Sequence, residues 1–421
     1  MDINSIKKNY INHLETNLLP FWERAIDTED GGVFTCFTND GSKLVSDKKY
    51  IWSQGRFLWL CCNLQKLKEQ GIIQLSDRWK DAMDKTYGFL TQYALMENNH
   101  VVFAVKKDGS KIKDQMDTSI FADCFYVLGC NAYAFYKRDK NVFDNTLIIY
   151  KTIKQRVEND EFSSEPYPIP PGYSSHSIPM ILLNVAQELY ETALSLNHMS
   201  KDDLLTDVRM FLEQIVNKFT DNNRIIEMYS SASNQEGTLL ERHLNPGHTI
   251  ESAWFMLHGI NQLNPEGRKE YLSYLSSVSS NALTLGWDNQ YGGLLRFVDK
   301  EGGVPKGEEI QTPYESLIKD TWDTKLWWPH AEALYTTLLL FYETKNQYWL
   351  EWYQKVADYV FNTFPNPNEN IGEWIQIRNR EGYPLKKVVA LPVKDPFHII
   401  RSYTLIIKLL EGEDNHAFRY Q

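Results

Sequence analysis

The stretch VFTCFTNDG at residues 33–41 contains the pattern that decides the fold: an apolar and aromatic run is followed by a polar residue, an acid and a glycine. The ending returns at Lys107-Asp108-Gly109, Gln235-Glu236-Gly237, Lys300-Glu301-Gly302 and Arg380-Glu381-Gly382. Two copies also open alike, with Asp30-Gly31-Gly32-Val33-Phe34 and Tyr291-Gly292-Gly293-Leu294-Leu295. The longest gap between copies is about double the others, so a degenerate copy is expected near Pro170-Pro171-Gly172. This repeat predicts stacked copies of one supersecondary unit.

In the segments between these turns, apolar residues recur with the period of an α-helix. In one of them, apolar residues recur at Ile178, Ile181, Leu182, Val185 and Leu189, which is the spacing of one helix face. Amphipathic helices are predicted at 3–23, 50–69, 76–95, 117–137, 141–157, 177–196, 202–218, 248–263, 267–285, 325–344, 347–362 and 396–412. The acid-glycine turns are expected in the segments between paired helices and are flanked by short alternating runs, which predicts β-hairpins. Twelve helices in six units predict an all-α fold, the (α/α)6 barrel, with short hairpins in its loops.

Composition and charge narrow the classes of function. The repeat runs from end to end, so residues 1–421 are expected to form a single domain. The formal net charge is −11 without a Lys/Arg cluster, and no apolar run is long enough to span a bilayer, so nucleic acid and membrane partners are not expected. Five scattered cysteines, and an N-terminus unlike a signal peptide, favour a cytoplasmic protein. The 12 Trp and 24 Tyr residues favour a carbohydrate pocket, although most single rings are expected in the core.

Three histidines, His248, His330 and His398, each follow a proline by one or two residues near a predicted helix start. Asp395 occupies the N-cap position ahead of His398. A helix N-terminus carries partial positive charge, so we expect lowered histidine pKa values and neutral imidazoles that can accept a proton. Glu251 lies one turn after His248, where it can fix the tautomer of that ring or hold a substrate hydroxyl. The alternative is that each histidine only caps or packs a helix.

Several blocks of the sequence resemble the N-acylglucosamine 2-epimerase family. They are Trp52-Ser53-Gln54-Gly55-Arg56, Pro179-Met180-Ile181-Leu182-Leu183, Asn245-Pro246-Gly247-His248-Thr249-Ile250-Glu251 with Trp254, Lys325-Leu326-Trp327-Trp328-Pro329-His330-Ala331-Glu332-Ala333-Leu334, Gly372-Glu373-Trp374 and Phe397-His398-Ile399-Ile400-Arg401. None is specific alone, but they lie in order along nearly the whole chain. The family includes N-acylglucosamine, cellobiose and mannose 2-epimerases and mannose isomerases. Its (α/α)6 barrel agrees with the repeat.

The resemblance implies roles for nine residues. It implies that His248 and His398 are an acid/base pair and that Arg56 contacts the substrate beside the reacting carbons. The residues that it implies for holding the sugar are Trp52, His176, Glu251, Trp254, Trp328 and Glu332. No metal and no cofactor is expected for this chemistry, and the family implies a homodimer.

A pair of histidines suits the chemistry at C2 of a ring-opened sugar. One neutral histidine removes the C2 proton, the arginine stabilises the resulting enediolate, and the other histidine returns a proton to the opposite face. This inverts C2, whereas return of the proton to C1 makes a ketose. The favoured pair is N-acyl-D-glucosamine and N-acyl-D-mannosamine. Epimerisation of mannose, glucose or cellobiose, or isomerisation of mannose, is the alternative within the family.

The sequence alone leaves open two functions other than epimerisation or isomerisation, those of a glycosidase and of a sugar-binding protein. An inverting glycosidase would use two carboxylates about 6.5–9.5 Å apart. The acids available for that role are Asp117, Asp123, Glu251 and Asp320, but their spacing singles out no pair. A non-catalytic sugar-binding protein is disfavoured because His248 and His398 are both present.

Overall fold

The computed structural model describes residues 3–232, 237–264, 266–388 and 391–412. Within them the helices are α1 Ile3–His13, α2 Leu19–Arg24, α3 Ile51–Glu69, α4 Arg78–Tyr93, α5 Ile120–Lys137, α6 Lys140–Glu158, α7 Ser177–Ser195, α8 Lys201–Lys218, α9 Leu239–Arg242, α10 Pro246–Leu263, α11 Arg268–Gly286, α12 Pro313–Thr321, α13 Trp327–Thr344, α14 Gln347–Thr363 and α15 Phe397–Glu411. A π-helical turn, Leu14–Leu18, joins α1 to α2. All twelve predicted helices are present, with ends that differ by a few residues. Two short helices, α9 and α12, were not predicted because they span too few turns to show a period.

The helices form two concentric layers. The inner helices α3, α5, α7, α10, α13 and α15 contact one another in that order, and α15 returns to contact α3. Each of the first five inner helices also packs against the outer helix that follows it, and α15 packs against α1. The N-terminal helix therefore completes the sixth pair, and the predicted (α/α)6 barrel is confirmed. None of the helices in the described ranges is both long and apolar enough to cross a membrane.

Short antiparallel strands set the points at which the inner helices begin. The strands of the described chain are β1 Lys49–Tyr50, β2 Ala104–Val105, β3 Ser174–Ser175, β4 Thr220–Asp221, β5 Arg224–Ile225, β6 Met228–Tyr229, β7 His243–Leu244, β8 Val298–Asp299, β9 Lys325–Leu326 and β10 Ile377–Arg378. Strands β1, β3, β7 and β9 lie just before an inner helix, and they pair with β2, β6, β8 and β10, respectively. Each pair ties the start of one inner helix to the following hairpin, which also places hairpin residues beside that helix start.

The acid-glycine turns adopt the left-handed backbone that glycine tolerates. Values of φ between 74° and 94° occur at Gly41, Gly109, Gly237, Gly302 and Gly382. Gly172, where the degenerate copy is expected, has a φ of 82°. Gln235 and Glu236 of the third copy lie outside the described residues. The turns predicted from the repeat are thus found at each described glycine.

Each of the two double-glycine copies contacts a buried lysine of its own. In each copy the lysine ammonium donates to an aspartate and to the backbone carbonyl of the first glycine. The contacts are Lys49 with Asp27 and Gly31, and Lys325 with Asp288 and Gly292. The same local sequence therefore builds the same turn in two different units of the barrel.

Candidate active site

A cavity of about 190 Å³ lies at the end of the barrel where the inner helices begin. Every inner helix contributes at least one side chain to its wall. An example from each helix, in chain order from α3 to α15, is given by the residues Trp52, Phe125, Met180, His248, Trp328 and His398. The barrel therefore brings residues from all six inner helices to one cavity, although α3 and α15 lie near opposite ends of the sequence.

His248 is held by the carboxylate of Glu227, from the hairpin that precedes α10. Its Nδ1 lies 2.9 and 3.0 Å from the two Oε atoms of Glu227, and its backbone N–H donates to the N-cap residue Asn245 at 3.2 Å. Burial opposes a charged ring, but Glu227, assisted by Glu251, outweighs burial and raises the pKa of His248. The predicted lowering of the pKa is wrong for His248, because a direct carboxylate contact is stronger than the helix terminus. With Nδ1 engaged, Nε2 is the ring nitrogen left to exchange a proton with a ligand.

His398 has the opposite charge preference. Its Nδ1 lies 2.7 Å from Glu332 Oε1 and 3.7 Å from Glu251 Oε1. Burial lowers the pKa of His398 to about 3; Glu251 opposes this shift, and the guanidinium groups of Arg56 and Arg401 add to it. The ring is therefore neutral at neutral pH, as predicted, although burial and the two arginines are the cause.

One aromatic ring contacts both histidines. The centroid of a Trp328 ring lies 5.2 Å from that of His248 and 5.7 Å from that of His398. Gly247 permits this placement, because a Cβ at that position would lie 2.5 Å from a Trp328 ring atom. A ligand that contacts Trp328 from the cavity therefore lies beside both imidazoles.

Arg56 both lines the cavity and forms a buried ion pair. Its Nη1 donates to Asp395 Oδ2 at 2.8 Å, and among the described residues its buried Nε has no hydrogen-bond partner. The guanidinium carbon lies 3.9 Å from the centroid of the Phe125 ring. The two helices approach closely here, because a Cβ on Gly55 would lie 2.1 Å from the Phe125 carbonyl oxygen. The packing of α3 on α5 thus sets the position of Arg56.

A network of charges lies at the cavity wall and behind it. Arg401 Nη2 donates to Glu251 Oε1 and, at 2.6 Å, to Glu332 Oε1. The other oxygen of Glu332 accepts a hydrogen bond from Trp254 Nε1 at 2.8 Å. Glu251 is therefore held by Arg401, and it is Glu227, not Glu251, that hydrogen-bonds Nδ1 of His248.

The structure brings six of the nine predicted site residues to the cavity wall. They are Trp52, Arg56, His248, Glu251, Trp328 and His398. Trp254, Glu332 and His176 do not line the described cavity but are buried behind its wall. Trp254 and Glu332 belong to the network beneath His398, and His176 lies behind Glu227.

His330, the third histidine of the sequence pattern, supports the fold. Its Nδ1 donates to the Leu326 carbonyl at 2.6 Å, and its Nε2 accepts the Leu294 backbone N–H at 2.8 Å. In the matching turn of the first unit, Gln54 accepts the Val33 backbone N–H at the same distance. His330 and Gln54 therefore hold equivalent turns, which is the packing role left open above.

Three charged residues of the site were not assigned to it from the sequence. Glu227 is an acid within the apolar hairpin run at 225–229, and that pattern is a signal for a buried carboxylate with a partner. Asp395 was expected only as an N-cap. Its Oδ1 accepts the backbone N–H of Phe397, and its Oδ2 pairs with Arg56. Arg401 lies in the last motif, but its carboxylate partners are in other units.

The acids considered for a glycosidase do not form a pair at the cavity. Asp117 and Asp123 both pair with Arg156, at 2.6 and 3.0 Å, and neither they nor Asp320 line the described cavity. Glu251 lines it but is bound by Arg401. An acid and a base carboxylate therefore do not face each other among these four residues.

The chain is similar to known proteins along almost its whole length. The family described as N-acylglucosamine 2-epimerase (GlcNAc 2-epimerase) matches residues 32–402. The N-acylglucosamine 2-epimerase of Homo sapiens is 29% identical over 402 residues, which cover 93% of this chain and 87% of that protein. The one of Bos taurus is 28% identical over 401 residues, with 94% and 89% covered. A crystal structure of a sugar epimerase from a ruminal bacterium covers 96% of this chain and 99% of its own, with a TM-score of 0.77 and 18% identity, and this likeness concerns the fold alone.

Proposed function

The chain belongs to the N-acylglucosamine 2-epimerase family, and from this premise we propose that it interconverts an N-acyl-D-glucosamine and the corresponding N-acyl-D-mannosamine. The observation that carries the proposal is the pair of cavity histidines whose pKa values are shifted in opposite directions, raised for His248 and lowered for His398. Inversion at C2 by two bases begins with one neutral imidazole and one imidazolium. The surroundings of His248 favour its imidazolium form and those of His398 favour its neutral form, which is the combination that this step requires.

In the proposed reaction, Nε2 of His398 removes the C2 proton of the ring-opened sugar. The electron pair of that C–H bond moves toward C1 and leaves an enolate, whose negative charge on the C1 oxygen is stabilised by the guanidinium of Arg56. His248 then donates its Nε2 proton to the opposite face of C2 while the C1 carbonyl forms again. In the reverse direction the two histidines exchange roles.

The remaining site residues support these steps by position. Glu227 holds the His248 ring by Nδ1, and Glu332 holds the His398 ring in the same way. Orientation of an imidazole through its second nitrogen fixes both its tautomer and its direction. Trp328 offers a ring face between the two histidines on which the sugar stacks.

The N-acyl substituent follows from the named relatives and has a chemical consequence. A free hydroxyl at C2 lets the intermediate be protonated at C1, which gives a ketose. An N-acyl group at C2 closes that route, so inversion at C2 is the outcome. The same two histidines would serve a mannose, glucose or cellobiose 2-epimerase, or a mannose isomerase, and the substrate panel below separates these activities.

The test is 1H NMR of the purified protein with separate samples of the two N-acetylhexosamines, mannose, glucose and cellobiose in D2O. We expect interconversion of the N-acetylhexosamines with deuterium at C2 of the product. The variant His198→Asn is the matched control, because it removes a histidine that pairs with Asp144, outside the cavity. Ketose formation would indicate an isomerase, a new reducing end a hydrolase, and product with C2 fully protonated would exclude proton exchange through two bases.

The proposal extends to the state of the protein in the cell. We propose that residues 1–421 act as one domain, in the cytoplasm and as a homodimer. Size-exclusion chromatography with light scattering measures the mass in solution, and a monomeric mass would contradict the dimer.

A further inference from the structure

We propose that His176, Glu227 and His248 form a binding site for a divalent transition-metal ion such as Zn²⁺, and that the bound ion inhibits the enzyme. One possible ligand atom from each residue lies within 4.8 Å of the other two. Two imidazoles and a carboxylate are a donor set suited to Zn²⁺, and three protein ligands leave a position open for water. The inhibition rests on the proposed function, whereas the binding does not.

The environment of the His176 side chain independently points to a ligand. Its side chain is fully buried, and in the described part of the chain its Nδ1 has no hydrogen-bond partner. Its Nε2 lies 3.1 Å from Ser252 Oγ. When Nε2–H donates to that hydroxyl, Nδ1 carries a lone pair, which is the arrangement that a second-shell partner gives to a metal-binding histidine.

The buried Nδ1 of His176 faces the carboxylate of Glu227. Nδ1 of His176 lies 3.9 Å from Glu227 Oε2, which is too long for a hydrogen bond. A lone pair and a carboxylate that face each other are stabilised by a cation between them.

The backbone holds these groups in place before any ion binds. The backbone N–H of His176 donates to the Glu227 carbonyl at 3.0 Å, next to the pairing of β3 with β6. His248 contacts the same carboxylate from the first turn of α10. Binding therefore requires a contraction around the ion and no rearrangement of the strands.

The two other clusters of possible metal ligands among the described residues already pair with arginine or lysine side chains. Glu251, Glu332 and His398 surround the guanidinium of Arg401. The acids at 27–30 pair with two lysine ammonium groups. The His176 group differs because, among the described residues, the ion pairs of Glu227 are with the two histidines and not with a lysine or an arginine.

Metal binding and turnover compete for His248. The ion takes the place of the proton on Nδ1, and that proton is released to the buffer. The Nε2 proton then remains on a neutral, metal-bound imidazole, which is a much weaker acid than imidazolium. His248 consequently loses its function as proton donor while the ion is bound.

The experiment is isothermal titration of the metal-free protein with ZnCl2 in two buffers of different ionisation enthalpy, followed by the absorption spectrum of the Co²⁺ complex. We expect one ion per chain and release of protons below neutral pH. His176→Asn removes one imidazole ligand, so affinity should fall on the order of 10²-fold or more. His198→Asn removes a histidine outside the cluster and should bind as the wild type does. Glu227→Gln is the second variant, and it serves if His176→Asn does not fold.

Loss of binding in His176→Asn or Glu227→Gln, with binding kept in His198→Asn, supports the site. Equal affinity in the wild type and in the ligand variants, or no binding by the wild type, overturns it. Inhibition is measured separately, as turnover at free Zn²⁺ concentrations set by a metal buffer, and binding without inhibition overturns that part. A wild type that converts no sugar refutes the proposed function alone, because the titration still decides the site.

Discussion

Glu227→Gln should remove the charge that favours the protonated form of His248 while the shape of the side chain stays nearly the same. In the wild type the two Oε atoms lie 2.9 and 3.0 Å from Nδ1 of His248, and a glutamine oxygen can still accept that hydrogen bond. Burial then acts on His248 without its main compensating charge, so the pKa falls below its wild-type position. The variant therefore holds a smaller fraction of His248 in the protonated form that acts as the proton donor.

The size of the effect follows from the energy of the lost ion pair. A carboxylate and an imidazolium whose charges are about 4 Å apart attract by about 4 kcal/mol at an effective dielectric constant of 20. The His248 side chain is 24% exposed, so solvent screening reduces this energy. An energy of about 2–3 kcal/mol remains after that reduction. Since each 1.4 kcal/mol is a factor of ten, kcat/KM should fall by up to about 10²-fold, with the full factor reached where the pH lies above the pKa of His248 in both proteins.

The pH profile separates this effect from simple loss of structure. In the wild type, kcat/KM should fall as pH rises through the raised pKa of His248, because the donor loses its proton. His398, whose pKa is lowered to about 3, stays neutral across the working range and sets no limit above that pH. In Glu227→Gln the alkaline limb should therefore move to lower pH, which a structural defect alone would not produce.

The assay is the initial rate of N-acetylhexosamine interconversion by NMR over a range of pH, with the melting temperature of each variant measured in parallel. Asp144→Asn is the matched control, since it takes an exposed carboxylate away from His198, a partly buried histidine outside the cavity, 2.9 Å away. It should leave both rate and profile unchanged. Near wild-type turnover by Glu227→Gln, with the alkaline limb at its original position, would refute the assignment of the His248 charge to Glu227.

His248→Asn and His398→Asn should each lower epimerisation by a factor on the order of 10² or more, because general acid–base catalysis typically contributes 10²–10⁴. One of the two variants should still exchange C2–H of a single epimer in D2O, and near-normal turnover by either would remove that histidine from the mechanism. Arg56→Lys keeps a positive charge beside Asp395 but loses the fork of donors, so kcat should fall about 10²–10³-fold with a smaller change in KM. A lower melting temperature with unchanged kcat per folded molecule would assign Arg56 to the buried ion pair alone.

The architecture could be predicted from the sequence because its determinants are local. The left-handed turns at glycines such as Gly41 and Gly109 are a requirement of one residue's backbone, and amphipathic spacing is a property of each helix by itself. Six units predict ring closure, which the contact between α15 and α3 completes. The short helices α9 and α12 were missed for the same reason, since nine residues or fewer carry too little of a period.

The positions of several site residues were also within reach of the sequence. His248 and His398 follow prolines at helix starts, and Trp52, Arg56 and Trp328 lie in motifs at the starts of other inner helices. A barrel gathers those starts at one end, so residues at equivalent positions in different units line one cavity. Residues further along the helices, such as Trp254 and Glu332, lie behind that wall. Helical spacing predicts the face on which a side chain lies, but not its distance from the cavity.

The charge states of the two histidines were decided by the tertiary structure alone. Glu227 is 21 residues from His248 and Glu332 is 66 residues from His398, so no spacing rule links either pair. Both histidines begin a helix after a proline, yet one pKa is raised and the other lowered. A pKa depends on burial and on charges within a few ångströms, and these charges come from other segments of the folded chain. The sequence by itself therefore determined which helix-start residues meet at the end of the barrel, and only the packing of the other segments decided which charges surround each histidine.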